Sequence, residues 1–409
     1  MANALRLPGG RPFKLLMAGL ATSSCGDWLY NVALLALVFE RTGSPTFVAI
    51  TTAARIVPIA ILGPLGGVLA DRVDRRVLLI AGNVARAVIM LALAAVAQLD
   101  LPIVAAPLLA GLATAASVAE PSCVATTTAR LVASEDLGRA SAARAAINQG
   151  AIVAGPALGA LLMLVAGPAV AILVNAATFL LSGASVAAIA PGPWFRPART
   201  GETPTVLADL RAGAQALRGA PIALRFLGAD LMCSAVYGLL TVTLVLVSRR
   251  AGAGTDGYGI LLGAFGVGGL VGAAAAGRRA ASERWRRTLA VALTLVALAI
   301  AGLGLAGTLP LAIALALLGG GGMVVAEVLG ETALPRMVDD EVLGRAYGLL
   351  LPASLMGIVA GSLVAAPLVA VAGVGGAMVA TAAVVALVGA LLVREGRPAV
   401  AARAALAQS

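Results

Sequence analysis

Uncharged apolar runs too long for a soluble core govern what this chain can fold into. Leu289 to Met323 passes without one charged residue, and ~20 apolar residues suffice for a helix to cross the hydrocarbon of a bilayer. Apolar residues make up 60% of the sequence and charged residues 12%. Water would not solvate that balance in a domain of this size, so the bilayer is the solvent. Nothing alternates apolar with polar in the ~10-residue segments of a membrane barrel. Helices are therefore expected, in an all-α membrane protein.

What the sequence lacks narrows the chemistry. It has no histidine, which removes His-built zinc sites, Ser/His/Asp triads and histidine proton relays from this chain. Its one lysine, Lys14, follows Gly9, Gly10, Arg11, Pro12 and Phe13, so no G-x-x-x-x-G-K-[ST] loop cradles a nucleotide. Cys25, Cys123 and Cys233 lie far apart inside apolar runs and read as small core residues. With no nucleophile near a base and no metal-ligand cluster, neither an enzyme nor a cofactor or metal site is expected.

The runs divide into twelve spans, roughly 14–38, 46–70, 77–97, 102–125, 141–165, 168–190, 223–247, 258–276, 288–307, 310–333, 346–371 and 374–393. A formal charge of +10 would suggest nucleic acid in a soluble protein, but here its distribution carries the meaning. With the N-terminus inside, all but five of the 29 basic residues fall on the cytoplasmic side. Arg41, Arg249 and Arg250 lie outside, and Arg55 and Arg86 within spans. The asymmetry predicts a multi-pass inner-membrane protein with both termini cytoplasmic and no nucleic-acid partner. The first apolar run is long and lacks a convincing cleavage site, so it is read as a retained helix.

Residues 191–221 differ in composition, opening on Pro-Gly-Pro-Trp and containing an amphipathic piece from Val206 to Leu217. They predict a cytoplasmic linker with a helix on the membrane surface, between an N-terminal six-helix bundle (1–190) and a C-terminal one with a short tail (222–409). The halves repeat. A shift of 206 residues lays Arg130–Ala140 on Arg336–Ala346, Gly155 on Gly361, and Gly63 and Gly66 on Gly269 and Gly272. Two parallel repeats of six helices suit a transporter whose halves rock about a central site.

Gly67-Val-Leu-Ala-Asp71-Arg72-Val-Asp74-Arg75-Arg76 resembles the major facilitator signature G-x-x-x-D-[RK]-x-G-[RK]-[RK] between helices 2 and 3, with Asp74 in place of the usual glycine. Ser24 and Asp27 in helix 1, the Arg130–Arg139 segment, and Gly155, Pro156 and Gly159 in helix 5 extend the likeness over nearly the whole chain. Together they resemble the branch of that superfamily containing the enterobactin exporter and macrolide efflux pumps. The helix 5 motif resembles that of antiporters, although Ala142, Ala151 and Ala160 stand where its other glycines would be. The resemblance implies twelve helices in two repeats and secondary transport. Physically, a carboxylate at Asp71 can pair with a cation or a helix N-terminus and release it when two halves move, which predicts a conformational latch of Gly67, Asp71, Arg72, Arg75, Arg76 and Arg130. The competing reading is that these arginines only fix orientation. In helix 10, Gly319 to Gly322 weaken a helix and predict a hinge or a backbone-lined pocket.

Acidic residues within spans are the sharpest functional signal, because a charge in hydrocarbon costs at least ~2.5 kcal/mol and so usually faces a cavity or a partner. They are Asp27, Glu120, Asp230, Glu327 and Glu331. The resemblance places their four helices around a central cavity. Arg55 and Arg86 are the candidate partners, and Trp28 and Tyr30 add aromatic surface. A carboxylate in a dry cavity can take a proton and lose it when a cation arrives or the site opens to water. The expected function is a proton-coupled exporter of a drug-like, siderophore or natural-product small molecule, working as a monomer. An importer or uniporter of the same fold, or a non-transporting scramblase or receptor, stays open at this stage.

Overall fold

The computed structural model describes residues 10–196, 221–254, 257–277, 285–337 and 340–395, and among them all regular structure is helical. Helix α1 (Arg11–Thr42) begins with Pro12, whose missing N–H falls where no partner is needed, and ends at Gly43, left-handed at φ 61°. Next come α2 (Pro45–Arg72), α3 (Arg75–Gln98), α4 (Ala105–Ala116) and α5 (Glu120–Leu131). A short 3-10 turn (Ser134–Asp136) leads into α6 (Leu137–Ala187). Beyond it lie α7 (Pro221–Arg250), α8 (Gly257–Gly277), α9 (Trp285–Leu305), α10 (Leu309–Met337) and α11 (Asp340–Glu395).

Nine helical stretches among the described residues are long and apolar enough to cross a membrane, with α4 and α5 forming one such stretch. Helix α1 is not among the nine, because Asp27, Tyr30 and Asn31 interrupt its apolar run. Large apolar side chains point outward as lipid contact requires: Ile61 is 66% exposed and Leu161 56%.

Two of the long helices are each two helices joined end to end. Helix α6 breaks at Gly167 (φ 80°, ψ 173°) and α11 at Gly373 (φ 67°, ψ 173°). That backbone geometry lies outside the reach of residues with a Cβ, and the two glycines stand 206 residues apart, the spacing of the sequence repeat.

The chain forms two compact units, one of Met1–Pro204 with Tyr258–Gly263, the other of Thr205–Gly257 with Ala264–Ser409. In the first, α1 lies along α6, and glycine permits the approach. A Cβ on Gly159 would stand 2.6 Å from the Leu29 carbonyl oxygen, and one on Gly155 would stand 2.9 Å from that of Cys25 and run into Trp28. In the second, α7 packs on α11, where a Cβ on Gly361 would collide with the Ala235 carbonyl.

Neighbouring backbone fills the space in which a backbone-lined pocket was expected at Gly319–Gly322. Helix α10 runs through them unbroken, and a Cβ on Gly320 would collide with the Phe265 carbonyl of α8 while one on Gly322 would stand 2.9 Å from the Ala292 carbonyl of α9. Close packing on two sides holds the segment helical despite its poor propensity. The expected surface helix at Val206 to Leu217 lies outside the described residues.

Candidate functional site

Two sets of polar side chains lie inside the membrane-spanning part of the first unit. The larger centres on Arg86 of α3, whose side chain is 5% exposed. Its Nη2 meets Glu120 Oε2 at 2.6 Å, and its Nη1 lies 3.5 Å from Asp27 Oδ2. Nη2 also donates to Asn83 Oδ1 at 3.1 Å, and Asn83 in turn donates to the Leu79 carbonyl at 2.8 Å. The Phe179 ring of α6 covers the guanidinium with its centroid 4.2 Å away, a cation–π contact that strengthens where water is scarce. One cation held by Asn83 and Phe179 thus faces two carboxylates from two other helices. Asp27, 39% exposed, is the more open of the two and Glu120, at 18%, the more enclosed.

Local structure explains how each acid arrives. Glu120 is not in the middle of a helix: the fourth span breaks at 117–119, and Glu120 opens α5 with Pro121 behind it. A proline is at home in a first helical turn, and the positive helix N-terminus favours a carboxylate there. Asp27 follows Gly26, where any Cβ would run into Asn175 and Thr178 of α6, so the carboxylate sits where α1 and α6 nearly touch. Trp28, next along, rests its Cβ against Gly155 and is partly exposed.

The second set holds Arg55 of α2. Its Nε donates to Tyr30 Oη at 2.9 Å, its Nη1 donates to Asn31 Oδ1, and the guanidinium lies over the Tyr30 ring at 4.9 Å. The sequence leaves both Arg55 and Arg86 as candidate partners of Asp27. The structure gives that place to Arg86 and binds Arg55 to two neutral groups, with no carboxylate within 4.0 Å among the described residues.

In the second unit, Ser354 of α11 donates to Asp230 Oδ2, a contact that sequence reasoning did not foresee. Glu327 stands on an exposed face of α10, and the side chain of Glu331 lies outside the described residues. A groove of about 570 Å³ between α9 and α11 of this unit is lined by alanine, leucine and valine with Thr294, so it offers no charge chemistry.

The loop between α2 and α3 is built around a buried arginine. Arg75 is fully buried; its side chain reaches Asp71 Oδ1 at 3.6 Å, and its Nη1 donates to the Arg196 carbonyl at 2.6 Å. Arg130, at the end of α5, donates to the same carbonyl at 2.7 Å and to that of Pro193 at 3.2 Å. The Arg75 amide donates to the Phe195 carbonyl at 3.0 Å, and Arg76 Nη2 to that of Ala187 at 2.6 Å. The arginines therefore pin the chain leaving α6 across the ends of α3 and α5, while Arg72 is exposed and Gly67 sits loosely near Ser122. Asp74, where the signature has glycine, caps α3 by accepting from the amides of Arg76 at 2.8 Å and Val77 at 3.3 Å.

A family profile described as transmembrane secretion effector, within the major facilitator superfamily, matches residues 10–408. An uncharacterized transporter of that superfamily, YfiS of Bacillus subtilis, is 27% identical over 269 residues, 64% of this chain and 63% of that protein, so the match spans less than two thirds of the relative. Among solved structures, the nucleoside transporter NupG is similar with a TM-score of 0.75 at 12% identity, covering 94% of this chain and 99% of that one. A bacterial homologue of the human lysosomal transporter Spinster, inward-facing and unoccupied, gives 0.73 at 12% identity over 94% and 97%. These likenesses show the fold.

Proposed function

The chain belongs to the transmembrane secretion effector family of the major facilitator superfamily, and on that footing we propose that it is a proton-coupled exporter of an amphipathic small molecule, working by alternating access. The observation that carries the proposal is the sharing of Arg86 between Asp27 and Glu120. Arg86 holds Glu120 closely and Asp27 more loosely, so Asp27 is the carboxylate that a proton can most readily neutralise. Asp27, more open and only 3.5 Å from the cation, is the acid we assign to proton exchange, with Glu120 as the fixed partner. The family description and the likeness of the loop and helix 5 motifs to the efflux branch support the outward direction.

The protein crosses the membrane twelve times in this proposal. Counting α1 with the nine stretches, and dividing α6 and α11 at Gly167 and Gly373, gives twelve. Close contacts at a pair of repeat-related glycines support two repeats: a Cβ on Gly66 would collide with the Val118 carbonyl and one on Gly272 with a backbone carbonyl one helical turn from the corresponding position, that of Gly321. The charge asymmetry supports cytoplasmic termini in the inner membrane, and a latch at Asp71 suits rocking between the halves.

The test is flux in proteoliposomes and inverted vesicles with an imposed proton gradient, using a substrate found by a susceptibility screen of deletion and overexpressing strains. Asp27→Asn should retain substrate binding but lose gradient-driven export, and Asp27→Glu should keep part of it. If Asp27→Asn exports against a gradient as well as the parent, Asp27 is a structural partner of Arg86 and the coupling assignment fails.

A further inference from the structure

Arg55 is a cation inside a membrane-spanning helix whose hydrogen bonds go to neutral groups, and a charge so placed demands a counter-charge. Asp27 acts on Arg55 through space, but among the described residues the direct contacts of Asp27 and Glu120 go to Arg86, at 3.5 and 2.6 Å. Tyr30 and Asn31, which are themselves buried, hold Arg55 through Nε and Nη1. They fix the plane of the guanidinium but supply no negative charge. Its third nitrogen, Nη2, has no hydrogen-bond partner among the described residues and is not closed off from its surroundings. An arginine oriented by two side chains with one edge open presents a prepared fork to an oxyanion.

Position on the helix says what kind of molecule could reach it. Ile61, the most exposed large apolar residue of α2 at 66%, lies six positions on, about 120° around the helix at 3.6 residues per turn, so Arg55 does not share that lipid-facing stripe. Ile59, one turn along the Arg55 face, is 36% exposed and offers apolar surface next to the charge. The ring of Tyr30 lies beneath the guanidinium with its centroid 4.9 Å away, and Thr51 and Thr52 on the same helix are buried.

We infer that Arg55 is an anion-recognition site, and that the transported molecule is an amphipathic anion whose carboxylate or comparable oxyanion docks on the open edge of Arg55 while its apolar body lies along Ile59. This deepens the transporter reading by naming the charge of the substrate, and it rests on that reading but not on the role given to Asp27. It also agrees with export, since a negative charge leaving the cell moves with the inside-negative membrane potential rather than against it.

The experiment uses the full chain in nanodiscs of zwitterionic lipid and three probes matched in shape: 2-naphthoate, 2-naphthylmethanol and 2-naphthylmethylammonium. Saturable binding is read by quenching of tryptophan emission and by the shift in melting temperature. Wild-type protein should bind naphthoate at least tenfold more tightly than either other probe. Arg55→Gln should lose that preference, and Arg55→Lys, which keeps the charge and serves as the folding control, should retain part of it. The inference is overturned if naphthoate shows no saturable binding or no preference in the wild type, or if Arg55→Gln keeps the preference. Adding phosphatidylglycerol to the discs separates the two sources of an anion: competition with naphthoate in wild type but not in Arg55→Gln would assign the site to lipid headgroups and overturn the substrate assignment. Gradient-driven flux that persists without any anion preference would leave the transporter reading standing and remove this one alone.

Discussion

The energetic bond between Arg86 and Glu120 is the quantity on which the coupling argument depends, and a double-mutant cycle measures it. Removing one partner of a buried ion pair costs about 3–5 kcal/mol. Arg86→Met should fall at the top of that range, because it leaves two carboxylates facing each other without a cation and withdraws the contact with Phe179 at 4.2 Å. Glu120→Gln should cost less, about 1–3 kcal/mol, since Asp27 remains 3.5 Å from the guanidinium and the glutamate is 18% exposed rather than sealed. In the double variant no cation is left without its acid, and Asp27, 39% exposed, retains water. Its loss should therefore be smaller than the sum of the single losses by about 1–3 kcal/mol. Unfolding of purified protein by SDS titration in mixed micelles gives the four free energies. Single losses that add to within about 0.5 kcal/mol would mean that the two groups exert no mutual force in the folded protein. The charge-balance reasoning behind the coupling assignment would fall with them.

Three further outcomes follow from the loop, the helix contacts and the charge asymmetry. Asp71→Asn should leave abundance unchanged and slow flux strongly, whereas Arg75→Ala should also lower the yield, because it empties a fully buried position and leaves Arg130 as the one arginine donor to the Arg196 carbonyl among the described residues; normal flux in both at normal abundance would reduce the loop to an orientation signal. Gly159→Ala brings a methyl group to 2.6 Å from the Leu29 carbonyl and should destabilise by about 1–3 kcal/mol, lowering the SDS midpoint; an unchanged midpoint would contradict the close approach of α1 and α6. Single cysteines placed at Thr200 and Gly254 in a cysteine-free background should label from opposite faces of the membrane, and labelling of both from outside the cell would end the twelve-span reading.

Much of this was readable in the sequence because hydrophobic length and buried charge are one-dimensional signals. Asp27, Glu120 and Arg86 stood out as charges where lipid forbids them, and the structure brings those three together. Depth along a helix says nothing of rotation about it, so the choice between Arg55 and Arg86 as the partner of Asp27 required the fold. The break before Glu120 had a readable signal in Pro121, outweighed by the apolar run around it. Asp74 looked like a departure from a motif although an aspartate just before a helix is a strong capping signal. Ser354, neutral and small, gave no sign that it would reach Asp230. The close packing at the four glycines of α10 was not legible because propensity describes an isolated helix, and this one is held by neighbours on both sides.

Among the described residues, Arg75 and Arg130 hydrogen-bond the chain beyond α6 through main-chain oxygens, those of Pro193, Phe195 and Arg196. Every residue type carries the same carbonyl, so the hold is blind to the identity of the side chains it spans. Exchanging amino acids here should be tolerated wherever Phe195 keeps its apolar seat, while inserting or deleting one residue would shift each carbonyl out of reach at once. Relatives of this protein are therefore free to drift in spelling across 193–196 but constrained in length, and a fusion or tag meant for the chain beyond α6 belongs after this stretch and not within it.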